Sequence, residues 1–148
     1  LLQTVDISKY DCIELPVRET WGVLVRRDSP LAERDAITPE DLVDQPLIVS
    51  RQAFSGALLS SWLGRGLDTL NVAATYSLLY NASLMVEEGM GCALCLDGII
   101  NTSGDSPLCF RPLEPGLEVS VYFVWKKYRS FSKAAEKYME ALLAMLKE

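Results

Sequence analysis

Two polar segments of this 148-residue chain carry the residue types best suited to binding a ligand, residues 50–55 and the pair Tyr76-Ser77. Each follows a short apolar run typical of a buried strand and precedes apolar residues at helical spacing. Backbone N–H groups at a helix start, together with hydroxyl groups, are the ingredients of an anion site. Arg51 adds a permanent charge whose planar fork matches a carboxylate or phosphate. The predicted ligand contacts are Ser50, Arg51, Gln52, Ser55, Tyr76 and Ser77.

A simpler alternative is that Ser55 and Ser77 only cap helices, as serine commonly does, and that Arg51 is solvated. The two segments meet only if their strands share one parallel sheet, because the carboxyl ends of parallel strands lie at a common edge. Residues 71–97 favour such a sheet, since they predict a strand, a helix and a second strand in succession. Gly89 is predicted to end that helix in a left-handed conformation.

The sequence offers little for catalysis. It contains no histidine, so the commonest general base is missing, and no P-loop, G-x-S-x-G or dinucleotide fingerprint occurs. Cys92 and Cys95 form a C-x-x-C, but no second pair or histidine completes a zinc site. Both lie in a predicted apolar strand, where cysteine usually acts as a small hydrophobe. We therefore expect no enzyme activity, no metal and no cofactor.

The overall composition excludes two further classes of function. A net charge of −6 argues against a nucleic-acid surface, which needs clustered Lys and Arg. No apolar run approaches the length of a membrane span, and nothing resembles a signal peptide. The chain starts at Leu1 and not at Met, so we expect a piece of a longer protein.

The remaining elements are those of an α/β protein. The first 18 residues indicate a strand remnant, a polar turn and an extended segment, and 50–56 is predicted to be a polar loop. Thr38 is predicted to cap a short helix that stops before Pro46, with Asp41 completing a capping box. The other predicted strands are 20–27, 47–49, 108–113 and 117–125, and the other predicted helices are 56–65 and one from Ser130 or Ser132 to Lys147.

The order of these features resembles the effector-binding domain of LysR-type transcriptional regulators, over nearly the whole chain. That family has a strand, an "hPLA" turn, a short "L-x-D-L" helix, a "plI" strand, an "lV-x-x-G-x-G-x-a-L-l-P" segment and an "s-x-a-a-x-x-f" final helix. The matching segments, in chain order, are 21–27, Asp28-Ser29-Pro30-Leu31-Ala32, Glu40-Asp41-Leu42, Pro46-Leu47-Ile48, 85–97 and Ser132-Lys133-Ala134-Ala135-Glu136. Asp97 stands where the family usually has proline.

The resemblance implies an α/β fold akin to type 2 periplasmic-binding proteins, with two lobes and a ligand cleft between them. Residues 19–116 would form one complete lobe, and 1–18 with 117–148 would be the C-terminal remnant of the other. The implied function is sensing of a small, anionic or polar effector by a cytoplasmic, dimeric regulator of transcription. DNA would be contacted by a helix-turn-helix domain outside this chain. The alternative is a solute-binding protein of a transporter on the same fold.

The resemblance also implies that the opening strands and helix of the remnant lobe are missing from this chain. The apolar stripe predicted along residues 131–146 would then lack part of its partner and leave an exposed patch. We expect the chain to cover that patch by self-association, and hence to form a homo-oligomer.

Overall fold

A computed structural model of the protein describes Asp6 and residues 8–146. The predicted strand remnant before Asp6 and the predicted helix end at Lys147 lie outside the described residues. The strands are β1 (Tyr10–Arg26), β2 (Leu47–Ser50), β3 (Val72–Tyr76), β4 (Cys92–Leu96), β5 (Leu108–Pro112) and β6 (Glu118–Lys126). The helices are α1 (Arg51–Phe54), α2 (Ala57–Leu63), α3 (Leu79–Glu87) and α4 (Lys133–Met145).

The chain forms two compact units, one of residues 20–118 and one of residues 1–19 with 119–148. The interpretation of these units as one complete lobe and a lobe remnant stays a prediction. Among the described residues, no helix is long and apolar enough to cross a membrane.

The unit of residues 20–118 is built on a mixed sheet with the strand order β3-β2-β4-β1-β5. β2 is parallel to both β3 and β4, whereas β1 is antiparallel to β4 and β5. The strand–helix–strand prediction for 71–97 is confirmed, because β3, α3 and β4 follow one another and both strands are parallel to β2. Gly89 has a φ of +79°, as predicted for the residue that ends the helix.

Both faces of this sheet are buried. Ile48 lies on the face that α3 covers and packs with Ala82 and Val86, all three without solvent exposure. Val49 and Leu94 occupy alternating positions and therefore point to the opposite face, where they are equally buried. Burial on both faces explains why β2 and β4 are continuous apolar runs, with no alternation of polar residues.

The segment predicted as a capped helix before Pro46 is a single 3-10 turn, Glu40–Leu42. The Asp41 carboxylate accepts hydrogen bonds from the Thr38 N–H at 2.9 Å and the Thr38 hydroxyl at 2.8 Å. These bonds hold the pKa of Asp41 below its ordinary value. One half of the predicted capping box is thus confirmed, but Pro39 and not Thr38 occupies the cap position.

The prediction of a polar loop at 50–56 is wrong, because this segment contains α1. Ser50 caps α1 by accepting the Ala53 N–H at 3.0 Å, and Ala53 is buried. A single buried residue anchors the short helix, which is too weak a signal to recognise as helical periodicity. Gly56 occupies the cap position of α2, and Gly64 ends this helix with a φ of +66°, two residues before the predicted end of the helix.

The unit of residues 1–19 and 119–148 contains β6, which pairs with β1, and α4. Ser132 caps α4 by accepting the Ala135 N–H at 3.2 Å, which confirms one of the two predicted cap positions. The rings of Phe123 and Tyr138 lie 5.8 Å apart and connect β6 with α4. No residue of α4 is buried, so its apolar side chains are only partly covered.

The C-x-x-C predicted to serve packing lies within β4. Cys92 and Cys95 are buried, and burial raises the pKa of each thiol to about 12. Three residues along a strand span about 10 Å, which is too far for a disulfide.

We expect thiol labelling of the native chain at pH 8 to modify Cys12 rapidly, since Cys12 is exposed, and to spare Cys92, Cys95 and Cys109, which are buried. Mass spectrometry after a timed reaction with iodoacetamide measures this, with all four thiols labelled in denaturant as the control. Labelling of Cys92 or Cys95 at the rate of Cys12 would refute the packing role.

Candidate functional site

The two segments predicted to bind a ligand emerge side by side. β2 and β3 are parallel neighbours, and their last residues, Ser50 and Tyr76, are paired in the sheet register. A pocket of about 390 Å³ opens at this edge, a volume that suits a small metabolite. Its lining consists of Ser50, Arg51, Gln52, Ser55, Tyr76 and Ser77. The structure therefore brings all the candidate residues together, while their contact with a ligand stays a prediction.

Two of the serine hydroxyls at this pocket are engaged in holding α1. Ser50 Oγ caps the helix start at Ala53. Ser55 Oγ donates to the carbonyl oxygens of Arg51 at 3.1 Å and Gln52 at 3.3 Å, at the other end of the same helix. The capping alternative named Ser55, which lies at the end of α1 and not at the start of α2. The contribution of both hydroxyls is to fix the backbone that carries Arg51 and Gln52.

Tyr76 is also part of the framework. Its buried hydroxyl donates to the carbonyl oxygen of Leu94 at 2.9 Å, and burial together with the nearby Cys95 raises its pKa. The hydroxyl is therefore occupied within the core and ties the end of β3 to β4. The alternation of side chains along a strand could have predicted this role from the sequence. Tyr76 lies on the same face of β3 as Ala74, which packs against the core cluster.

Ser77 does not cap a helix, contrary to the capping alternative. α3 begins at Leu79, its cap position is Leu78, and no side chain caps it. Leu78 is extended, and its carbonyl oxygen accepts the Asn81 N–H at 3.1 Å. The exposed Ser77 hydroxyl has no hydrogen-bond partner within the described part of the chain.

Three side chains at the pocket rim remain available to a ligand. Arg51, Gln52 and Ser77 are exposed, and among the residues that the structure describes their side chains form no hydrogen bond or ion pair. The amides of Arg51 and Gln52 lie in the first turn of α1, where a helix supplies no acceptor. The rim thus presents one guanidinium, one carboxamide and one hydroxyl, which can bind an anion but supply neither a nucleophile activated by a base nor a proton acceptor.

Two other cavities are weaker candidates. One of about 430 Å³ lies in the unit of residues 1–19 and 119–148, and its charged residues, Glu14 and Arg18, carry opposite signs along β1. The other, whose lining includes Phe110 and Ile100, has no room for a water-sized molecule. Across the described ranges, no group of three or more His, Cys, Asp or Glu side chains is placed to hold a metal ion.

Comparison with known proteins identifies the type of domain. The family model described as the LysR substrate binding domain matches residues 1–147. A relative from Bacillus subtilis (strain 168), the uncharacterized HTH-type transcriptional regulator YvbU, is 27% identical over 126 residues. The match covers 83% of this chain and 42% of YvbU, so the chain spans less than half the length of that relative.

Solved structures of LysR regulators share the fold at low sequence identity. HinK from Pseudomonas aeruginosa has a TM-score of 0.74 at 18% identity, covering 93% of this chain and 49% of HinK. The Synechocystis PCC6803 CcmR regulatory domain in complex with 2-PG has a TM-score of 0.72 at 16% identity, covering 95% of this chain and 68% of that domain. The QuiR effector binding domain in complex with shikimate has a TM-score of 0.70 at 20% identity, covering 93% of this chain and 66% of the QuiR domain.

These matches confirm the predicted fold class, an α/β fold like that of type 2 periplasmic-binding proteins. The chain belongs to the LysR substrate-binding domain family, as the order of its sequence motifs predicts.

Proposed function

We propose that this domain senses a small anionic metabolite, which it holds at the pocket between the ends of β2 and β3. The observation that carries the proposal is the set of unengaged side chains there, with Arg51 as a cation that has no ion-pair partner among the described residues. A guanidinium binds a carboxylate or phosphate through two parallel hydrogen bonds, with Gln52 and Ser77 completing the contact. Ser50, Ser55 and Tyr76 keep the pocket in shape through their bonds to the backbone.

The family supports sensing over two alternatives, transport and catalysis. The matched family model is that of a LysR domain, and the relatives named above are regulators, which favours a regulator over the transporter protein considered as the alternative. The same comparisons indicate a regulatory and not a catalytic role. The QuiR and CcmR domains were solved with shikimate and 2-PG, and we infer that this pocket takes a ligand of similar size that carries an acidic group.

The whole protein, on this proposal, regulates transcription in the cytoplasm through a DNA-binding domain outside this chain. The acidic net charge of the chain supports the absence of direct DNA contact. A ligand can change the activity of such a regulator only if it binds one conformation more tightly than another, since equal affinity shifts no population.

Thermal unfolding of the chain with a panel of small carboxylic and phosphorylated acids, including shikimate and 2-PG, tests the proposal. A ligand at a hundred times its dissociation constant stabilises the folded state by about 2.7 kcal/mol, which raises Tm by several degrees. We expect Arg51→Ala to weaken binding of that acid about ten- to a hundredfold, because it removes a charge-assisted hydrogen bond.

Arg65→Ala is the matched control, because Arg65 is an exposed arginine that does not line the pocket. It should leave the affinity unchanged within about twofold, since it changes the net charge equally but not the pocket. If no acid in the panel raises Tm, the sensing proposal fails. If Arg51→Ala and Arg65→Ala weaken binding to the same extent, the ligand does not contact Arg51.

A further inference from the structure

The arginines of the unit of residues 20–118 differ in whether they have a partner. All six cations of this unit are arginines. Four of them are engaged, two in ion pairs with aspartates and two in hydrogen bonds to backbone carbonyl oxygens, and these are Arg26, Arg34, Arg27 and Arg111. Within the described residues Arg51 and Arg65 have no such partner, and Arg65 does not line the pocket. Arg51 is therefore the cation of this unit that is open to a ligand at the pocket.

A carboxylate follows the strand next to Arg51. The segments after the three parallel strands β2, β3 and β4 are 51–56, 77–78 and 97–104. Their only charged residues are Arg51 and Asp97. Because β2 lies between β3 and β4 and the carboxyl ends of parallel strands share one edge, Arg51 lies between the β3 side of the pocket and Asp97. This edge of the sheet thus carries one cation and one anion on neighbouring strands.

The backbone of Asp97 is held at the start of the turn that follows β4. Its N–H donates to the carbonyl oxygen of Thr20 at 2.9 Å, which continues the pairing of β4 with β1. Its Oδ1 accepts the Gly98 N–H at 2.7 Å. The carboxylate is exposed, and no cation of the described part of the chain pairs with it. Asp97 therefore presents an unpaired charge from a position that the backbone fixes.

The spacing of the two charges suits a small ligand between them. Val49 of β2 is paired with Leu94 of β4, so Ser50 lies one residue and Asp97 three residues beyond this pair. At about 3.3 Å per residue and about 4.8 Å between strands, the Cα atoms of Ser50 and Asp97 are about 8 Å apart. Arg51 follows Ser50 and forms no ion pair with Asp97, which leaves the space between the two charges to a ligand.

We propose that the metabolite sensed at this pocket is an amino acid, whose carboxylate is bound by Arg51 and whose ammonium group donates to Asp97. The inference rests on the proposed function of the pocket and adds Asp97 as the residue that selects among acids. A ligand with both groups makes a charge-assisted hydrogen bond at each end. A ligand with only an acidic group gains from Arg51 but is repelled by Asp97.

Matched pairs of ligands test the selection by isothermal titration calorimetry of the 148-residue chain. Each pair joins an amino acid with the hydroxy acid of the same carbon skeleton. The pairs are leucine with 2-hydroxy-4-methylpentanoate, phenylalanine with phenyllactate, glutamate with 2-hydroxyglutarate, and 4-aminobutanoate with 4-hydroxybutanoate. We expect at least one amino acid to bind at least tenfold more tightly than its partner, because only the ammonium group donates a charge-assisted hydrogen bond to a carboxylate.

Asp97→Asn removes the charge but keeps the size of the side chain and an oxygen for the Gly98 N–H. We expect it to weaken binding of that amino acid at least tenfold and to leave the matching hydroxy acid unchanged or bound more tightly. Asp105→Asn is the matched control, since Asp105 is also exposed but precedes β5 at the other end of β1, where Leu108 pairs with Arg26. It should change either affinity by less than twofold. Thermal unfolding without ligand establishes that both variants are folded.

The possible failures separate this inference from the sensing proposal. If acids bind in a manner that depends on Arg51 but no amino acid exceeds its hydroxy partner tenfold, the amino-acid inference is wrong and sensing stands. The inference is also wrong if Asp97→Asn has no effect, or if it weakens both members of a pair equally, because Asp97 would then not contact the ammonium group. If none of these ligands and no acid of the larger panel binds, both proposals fail.

Discussion

Gly91→Ala is expected to lower the free energy of unfolding by about 3 kcal/mol or more, through backbone strain and a direct clash. Gly91 immediately precedes β4 and has a φ of +151°, a conformation that side chains disfavour. A Cβ atom there would strike the carbonyl oxygen of Pro46, whose carbon would lie only 2.9 Å away. That carbonyl accepts the Cys92 N–H at 2.9 Å, where β4 starts to pair with β2. The added Cβ atom would meet backbone atoms of Pro46, so the clash cannot be relieved by movement of a flexible side chain.

Two other glycines separate the strain from the clash. Gly98 has a φ of +72°, but no atom lies within 4 Å of the position that a Cβ would occupy, so Gly98→Ala should cost only about 1 kcal/mol. Gly116 has neither constraint, and Gly116→Ala should be nearly neutral. Urea unfolding of the three variants measures the series. If Gly91→Ala costs no more than Gly98→Ala, the close approach of Gly91 to Pro46 is wrong.

Leu94→Ala is expected to cost about 2 to 5 kcal/mol, because it leaves a cavity at the centre of the sheet. Leu94 lies in the middle of β4 with no solvent exposure, between Val23 of β1 and Val49 of β2, which are equally buried. These three strands form the middle of the sheet, so the surroundings cannot collapse into the space. The Tyr76 hydroxyl bonds to the backbone of Leu94 and is not removed by this change.

Leu84→Ala is the control for the loss of a leucine side chain. Leu84 is 46% exposed on α3, and leucine and alanine are both good helix formers, so the change should stay within about 0.5 kcal/mol. Urea unfolding compares the two variants at constant m-value. Equal costs at the two positions would contradict the assignment of β4 as the central strand of a sheet buried on both faces.

The sequence predicted those elements whose signals are local. Three of these predictions depend on a few adjacent residues each, and the structure has all three features. They are the apolar triplet before Ser50, the serine cap at Ser132 and the helix end at Gly89. β1 was harder, because Pro16 and Arg18 interrupt its pattern although the strand runs unbroken from Tyr10 to Arg26. Its continuity depends on pairing with β4, β5 and β6, which are distant in the sequence.

The candidate pocket shows the same division between local and long-range information. Parallel pairing of two predicted strands was enough to bring residues 50–55 to Tyr76-Ser77. The roles of the individual side chains in the pocket could not be predicted from the sequence. The Tyr76 hydroxyl donates to a carbonyl oxygen of β4, which is distant in the chain, and the Ser55 hydroxyl donates to a helix of only one turn. Only the folded chain shows which hydroxyls are already engaged and leaves Arg51, Gln52 and Ser77 as the available groups.

The most direct test of the proposed site is a titration followed by backbone amide NMR, using the acid from the panel that raises Tm most. We predict that the largest chemical-shift changes fall on the amides of Arg51, Gln52 and Ser77, and that they saturate with the affinity measured by thermal unfolding. Changes concentrated on Glu14 to Arg18 instead, or saturating shifts that leave Arg51, Gln52 and Ser77 unmoved, would contradict the assignment of this pocket as the sensor site.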